Sequence, residues 1–343
     1  MTRIVIVGAG IAGLTFYLFL HDLGITANNE TVILEAKTAS SGKVMNVVFD
    51  GRSNKVLLDN GASIEAELVV GGDGVWSVVR RAIFDAEGHA GGYQFSPKYE
   101  GLIGVGGFLS ADMMVDVPDG EMNVVFGRNG FFGYGYTGSA STDVAKHGDK
   151  AVWWSTYSLH SLPEDWQDID REDVQQSLRS RHSAWRNKVI QGIIETVQID
   201  GIWPTFTTPV LPTWERQGCV LIGDAAHALQ PSSGQGANQA LEDDEMLALL
   251  LAHHLGKDQL DGHLNACKQY SDLRIPRLAE IHKQSQTMAK MKEDMGLFME
   301  LLMYAWIWLI NKLSLNSGYL AEIQNYDARV EVDAAVRGQD LRQ

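Results

Sequence analysis

Apolar and polar positions follow three rhythms along the 343 residues. The first is α/β. Ile4–Val7 is an unbroken apolar run, as expected of a strand buried on both faces of a parallel sheet. A glycine turn follows, then a helix predicted from about Ile11 to His21 and a second strand, Val32–Leu34. Short strands are predicted at Val44–Phe49, Lys55–Leu58 and Glu67–Val70, separated by the turns Asp50-Gly51 and Asp59-Asn60-Gly61. The second rhythm, from 92 to 210, is rich in glycine and aromatics, with strand-like pieces at 122–126, 131–136 and 151–157 and a helix near Arg171–Arg181. It reads as a mostly antiparallel sheet with a large apolar surface. From Gly218 the α/β pattern returns, and from Gly236 the chain is mainly helical.

Four segments result: an α/β region split between 1–91 and 211–285, a mostly antiparallel sheet inserted at 92–210, and a helical region at 286–343. The apolar stretch Leu297–Ile310 is too short for a bilayer span of about 20 residues, and Glu300 interrupts it. It reads as a helix packed on the protein or at a homodimer contact. The other reading is an interfacial membrane helix with Trp306 and Trp308 at headgroup depth. The packed reading is favoured.

Charge and cysteine content narrow the class. With 28 basic and 43 acidic residues the net charge is −15, which disfavours nucleic acid. Two cysteines build neither a disulfide framework nor a thiolate zinc site, and no secretory leader precedes Ile4, so a cytoplasmic location is expected. No metal site is expected, because His-Glu-x-x-His is absent and His253-His254 sits at a polar helix end. No Gly-x-Ser-x-Gly elbow points to a hydrolase.

The chemistry begins at Gly8-Ala9-Gly10-Ile11-Ala12-Gly13. Gly8 permits a tight turn, Gly10 lets backbone approach a diphosphate, and Gly13 lets helix and strand pack closely. The acid Glu35 ends the next strand, near the spacing expected of a ribose-binding carboxylate. An acid there favours a free 2′-hydroxyl, as in NAD or FAD. Two further motifs follow. Asp73-Gly74-Val75-Trp76-Ser77-Val78-Val79-Arg80 is a glycine turn at a helix start, where Asp73 could simply cap the helix. Gly223-Asp224-Ala225-Ala226-His227 leads into Pro231-Ser232-Ser233-Gly234-Gln235-Gly236-Ala237-Asn238, a loop opening onto another helix N-terminus.

In this order, the three motifs resemble the class A FAD-dependent monooxygenases of the para-hydroxybenzoate and salicylate hydroxylase type, over residues 1 to about 285. The resemblance implies FAD on a Rossmann-type (GR2-like) domain and NADPH or NADH as transient reductant. One atom of O2 would be inserted into an apolar aromatic or alkene substrate. By position, Gly8, Gly10 and Gly13 would hold the diphosphate, Glu35 the adenosine ribose and Asp224 the ribityl chain. Pro231, Gly234, Gly236, Ala237 and Asn238 would border the isoalloxazine, while Asp73 and Arg80 belong to a motif linked to both nucleotides. His227 is read as structural. Phe131, Phe132, Tyr134, Trp153, Trp154 and Tyr157 could line a pocket or form sheet core, with core favoured for each.

One departure stands out. Only 38 residues separate Glu35 from Asp73, where the family has further strands, a flavin-facing loop and a helix with a diphosphate-binding Arg. Neither Lys43 nor Arg52 is assigned to that role. A shortened region should expose the cofactor and leave a sheet edge uncovered. The alternatives are therefore a flavin reductase or halogenase of the same fold, and a non-catalytic or weakly flavin-binding paralogue that binds a ligand or partner.

Overall fold

The computed structural model describes residues 2–35, 42–50, 53–85, 95–114, 116–118, 121–127, 130–138, 147–163, 168–196, 199–231, 234–256, 261–290, 296–313 and 325–340. Arg52, Gly51, Ser232 and Ser233 lie outside them, as does the side chain of Tyr157. The chain forms two compact units. The first comprises 1–98, 206–286 and 321–343, and the second 99–205 and 287–320. Residues 286–343, expected as one helical region, are thus shared between the two.

In the first unit, β1 (Ile4–Val7) is flanked by parallel partners, β2 (Thr31–Leu34) and β6 (Leu68–Gly71). β6 in turn pairs in parallel with β13 (Cys219–Leu221), and β12 (Glu215–Arg216) closes that side antiparallel. β1 and β6 are fully buried, which explains their unbroken apolar sequences. α1 (Ile11–Asp22) buries Ala12, Phe16 and Leu20, one stripe at i, i+4, i+8. β2 is the edge strand among the described residues, and its first three residues are half-buried.

After β2 comes a three-stranded antiparallel sheet, β3 (Val44–Phe49), β4 (Asn54–Leu58) and β5 (Ser63–Ala66). The sequence reading lacks β5, whose four residues are too few to display an alternation. α2 (Val78–Asp85) follows β6. α5 (Asp224–His227), α6 (Gly236–Leu255), α7 (Gly262–Lys290) and a last helix, α9 (Ala328–Asp340), complete the unit. Cys219 and Cys267 are buried free thiols.

The second unit holds a five-stranded sheet ordered β11-β7-β10-β9-β8. Its strands are β7 (Lys98–Ser110), β8 (Met122–Gly127), β9 (Gly130–Gly138), β10 (His147–Ser158) and β11 (Gly201–Thr207). The long β7 was not expected because Gly101, Gly104, Gly106 and Gly107 weaken its strand character. Packing requires two of them. A Cβ on Gly106 would lie 2.5 Å from the Trp153 carbonyl, and one on Gly107 2.7 Å from the Asp200 carboxylate. α3 (Arg171–His182) and α4 (Lys188–Thr196) contribute Val174, Leu178, Ile190 and Ile193 to a core shared with Phe132, Tyr134 and Trp153. Those aromatics are sheet core, whereas Trp154 is half-buried. α8 (Leu297–Leu313) packs on the unit by one side and leaves most of its apolar residues exposed. Phe298 is 73% exposed and Trp308 60%, and Met303 is the buried residue of its core-facing side.

Candidate active site

Three loops leave one edge of the first unit's sheet. β1, β6 and β13 are parallel neighbours, so the turns after Val7, Gly71 and Leu221 all lie at strand C-termini. Open α/β sheets bind their ligands along this edge. The glycine loop is shaped by near contacts. Gly8 has φ +106°, and a Cβ there would overlap the Gly72 carbonyl oxygen. A Cβ on Gly13 would overlap the Gly8 carbonyl, so α1 can approach β1 only over glycine. Gly10 is different. A Cβ there would meet nothing within 4 Å, since the residue borders open space at the N-cap of α1, where no side chain caps the helix.

That space is a cavity of about 520 Å³ bordered by Gly8, Gly10, Glu35, Lys43, Asp73 and Trp76. Glu35 Oε2 accepts a 2.8 Å hydrogen bond from the Ala9 amide, which ties the end of β2 to the glycine loop. Asp73 caps α2. Its Oδ1 accepts from Ser77 Oγ at 2.5 Å, and its Oδ2 from the Val78 amide at 2.6 Å. Burial raises the Asp73 pKa, against hydrogen bonds from Ser77, Val79 and Val78 that favour the charged form.

Arg80 is buried and does not border the cavity. Its guanidinium donates to the carbonyls of Ala225 at 2.7 Å and Val75, joining the second motif to the third. Burial lowers its pKa, and the nearby Asp73 charge opposes this. Arg81, one residue on, does border the cavity. Helical spacing could have indicated this, because Val78 and Arg81 share one face of α2 and both line the space. Lys43 reaches the same cavity from the segment just before β3.

The third motif is held between helices. Gly223, at φ +57°, would place a Cβ 2.9 Å from that of Ala12 on α1 and 3.4 Å from that of Ala240 on α6. Asp224 is exposed at the start of α5. Gly234, at φ +63°, donates to the Pro231 carbonyl at 3.1 Å. α6 then begins without a side-chain cap, with Ala237 and Asn238 exposed in its first turn. His227 is buried and donates from Nε2 to Asp243 Oδ2 at 2.6 Å. Among the described residues no group of His, Cys, Asp and Glu is arranged to hold a metal ion.

Two uncapped helix N-termini, a glycine turn facing open space and a carboxylate at the end of β2 suit an anionic dinucleotide such as FAD. The comparisons with known proteins agree. The profile of the FAD binding domain family matches residues 49–285, and that of the NAD(P)-binding Rossmann-like domain matches residues 6–82. The chain belongs to the FAD-binding domain family. It is 30% identical over 266 residues to the chloroplastic zeaxanthin epoxidase of Spinacia oleracea, covering 75% of this chain and 36% of that protein. It is 29% identical over 231 residues to the 3-amino-4-hydroxybenzoate 2-monooxygenase of Streptomyces cremeus, covering 67% of this chain and 51% of that one. The chain thus spans about half or less of the length of these curated relatives. In fold it is similar to a salicylate hydroxylase substrate complex, with a TM-score of 0.73 and 16% identity over 97% of this chain and 98% of that one.

Proposed function

We propose that this chain is an FAD-dependent monooxygenase that uses NADPH or NADH and inserts one oxygen atom from O2 into an apolar aromatic or alkene small molecule. The observation that carries this reading is the open space at Gly10, bordered by the glycine loop, Glu35 and the Asp73 turn. When bound, FAD supplies the hydride acceptance and oxygen activation that side chains lack. The protein's own residues do the rest. Gly8, Gly10 and Gly13 let the backbone approach the diphosphate, and Glu35, fixed by Ala9, meets the adenosine ribose. Asp224 would bond the ribityl chain. Pro231, Gly234, Gly236, Ala237 and Asn238 would border the ring, and the bare N-terminus of α6 favours negative charge there. Arg80 would act by fixing the loop rather than by touching the ligand, as its buried contacts suggest, whereas Asp73 both caps α2 and borders the cavity. Lys43 and Arg81 add two cations on the cavity wall.

The test is a visible absorption spectrum after incubation with FAD and desalting, followed by NAD(P)H oxidation with a panel of phenols and alkenes under 18O2. Retained flavin bands and a product carrying one 18O are expected. A protein that stays colourless would overturn the reading. Replacing Lys43 and Arg81 together by Ala should weaken FAD about tenfold, with the loss shrinking in high salt.

We further propose that α8 lies on a lipid surface. Leu297, Phe298, Leu301, Leu302, Trp306 and Trp308 are all exposed, on more sides of the helix than one partner helix would cover. Glu300 and Lys312 are its sole charges, and Lys312 lies 4.6 Å from the Trp308 ring centroid, an aromatic and basic pair suited to headgroup depth. No helix among the described residues is long and apolar enough to cross a membrane. Co-sedimentation with phosphatidylcholine vesicles should be lost in a Trp306→Ser/Trp308→Ser variant. A stable dimer that ignores vesicles and dissociates in that variant would overturn the proposal.

A further inference from the structure

The His227–Asp243 pair belongs to a larger buried ion network behind the third motif. Its hub is Arg274 on α7, which is fully buried. Its Nε donates to Asp243 Oδ1 at 2.7 Å and its Nη1 to Glu242 Oε2 at 2.7 Å. Its Nη2 donates to the Gln239 carbonyl at 3.1 Å and to Gln239 Oε1 at 2.9 Å. Arg277, one turn along, donates twice more to Glu242, at 2.8 and 2.9 Å. The remaining oxygen of Asp243 takes the Gly223 amide at 2.9 Å together with His227 Nε2. One guanidinium therefore secures two separate segments: the Gly223–His227 turn through Asp243, and the opening turns of α6 through Gln239 and Glu242. From the same helix, Tyr270 donates to the Leu221 carbonyl at the end of β13.

These are the two segments proposed to face the flavin ring and ribityl chain, whereas the glycine loop and Glu35 make none of these contacts. We propose that Arg274 and Asp243 are positioning residues that set the isoalloxazine half of the site independently of its ADP half. This rests on the FAD reading above. Several features support it. An isolated buried carboxylate would be costly, yet Asp243 is held below the ordinary carboxylate range: burial would raise it, but His227 and Arg274 outweigh that. The hydrogen bonds of the Arg274 guanidinium to Gln239, Glu242 and Asp243 all fall within residues 239–243, at the start of α6. Tyr326, just before α9, covers the assembly from outside, with its ring 3.6 Å from the Arg277 guanidinium carbon.

The test is calorimetric titration of the full chain with FAD and, separately, with ADP. Asp243→Asn keeps the shape but removes the charge and one acceptor role. It should weaken FAD at least tenfold, leave ADP within twofold, and blur the vibrational shoulder of the bound flavin spectrum. Tyr326→Leu, which strands no charge, should do the same to a smaller degree. Equal weakening of FAD and ADP, or no change in either, would overturn the proposal. If the wild-type chain binds no FAD, the function reading fails first. Amide exchange then decides this one: Asp243→Asn should lose protection at Gly223–Ala228 while keeping it at Ile4–Val7, and unchanged protection at Gly223–Ala228 would refute the network's role.

Discussion

Each unit buries a histidine and a set of close-packed glycines, and the two units employ them differently. In the first, His227 faces a carboxylate, and the close glycines of the nucleotide loop abut backbone: Gly8 against Gly72, Gly13 against Gly8. In the second, His182 lies 3.2 Å from the Ser155 hydroxyl, with its ring edge-on to Phe132 and Trp185, and several of the close glycines abut rings. A Cβ on Gly133 would overlap Trp154, and one on Gly127 would lie 2.8 Å from Trp185. The interior of the first unit is thus polar where loops converge on a site. The interior of the second is an aromatic scaffold. Four experiments would break or sharpen that contrast.

The largest effect is expected at Gly8. Alanine there would need a left-handed backbone and a displaced Gly72 carbonyl, together about 3–5 kcal/mol. Thermal unfolding should show a much lower Tm with FAD binding abolished. A Tm within two degrees of wild type would mean that the loop relaxes freely, and the backbone-approach argument would fail.

Next comes acid. Ser155 Oγ already donates to the Phe131 carbonyl, so it accepts from His182 Nε2, and His182 Nδ1 has no hydrogen-bond partner among the described residues. The neutral ring is the form that fits. Burial, aided by the Arg181 charge, lowers the His182 pKa to about 4 from an ordinary 6.5. The folded state then resists a proton that the unfolded chain accepts, so stability is full above pH 6.5 and falls as pH drops towards 4. The loss would reach at most about 3 kcal/mol. Urea midpoints between pH 7 and 5 should slope downward in the wild type and flatten in His182→Leu. Parallel slopes would show that His182 is not the group titrating.

How much of this was legible in the sequence follows the same divide. The Gly8–Gly13 loop was readable because its spacing is imposed by local backbone geometry, and Glu35 because it ends the adjoining strand. Interior pairing was not readable: Asp243 and Arg274 are 31 residues apart, and nothing in either segment indicates the other. Arg80 illustrates a subtler limit. Its motif identified the right turn, but only the helix phase distinguishes the buried Arg80 from Arg81 on the cavity wall. In the second unit β7 was hidden by its own glycines, since residues that make room for a neighbouring carbonyl or carboxylate, as Gly106 and Gly107 do, look in sequence like a loop.

Glycine also supplies the two smaller tests, which work best as a pair. Gly133→Ala in the second unit should cost about 1–3 kcal/mol, because Trp154 must shift, and should leave FAD affinity unchanged. Gly10→Ala should do the reverse. Its φ of −77° suits alanine and no atom lies within 4 Å of the new methyl, so the apo fold should lose less than about 1 kcal/mol, the cost of a poorer helix cap. The methyl would, however, occupy space the diphosphate needs. FAD affinity should therefore fall at least tenfold, or about 1.4 kcal/mol. A Gly10→Ala protein that binds FAD as tightly as wild type would mean that the open space at Gly10 is not where the diphosphate lies. The cavity would then have to take its ligand against the Lys43 and Arg81 wall instead.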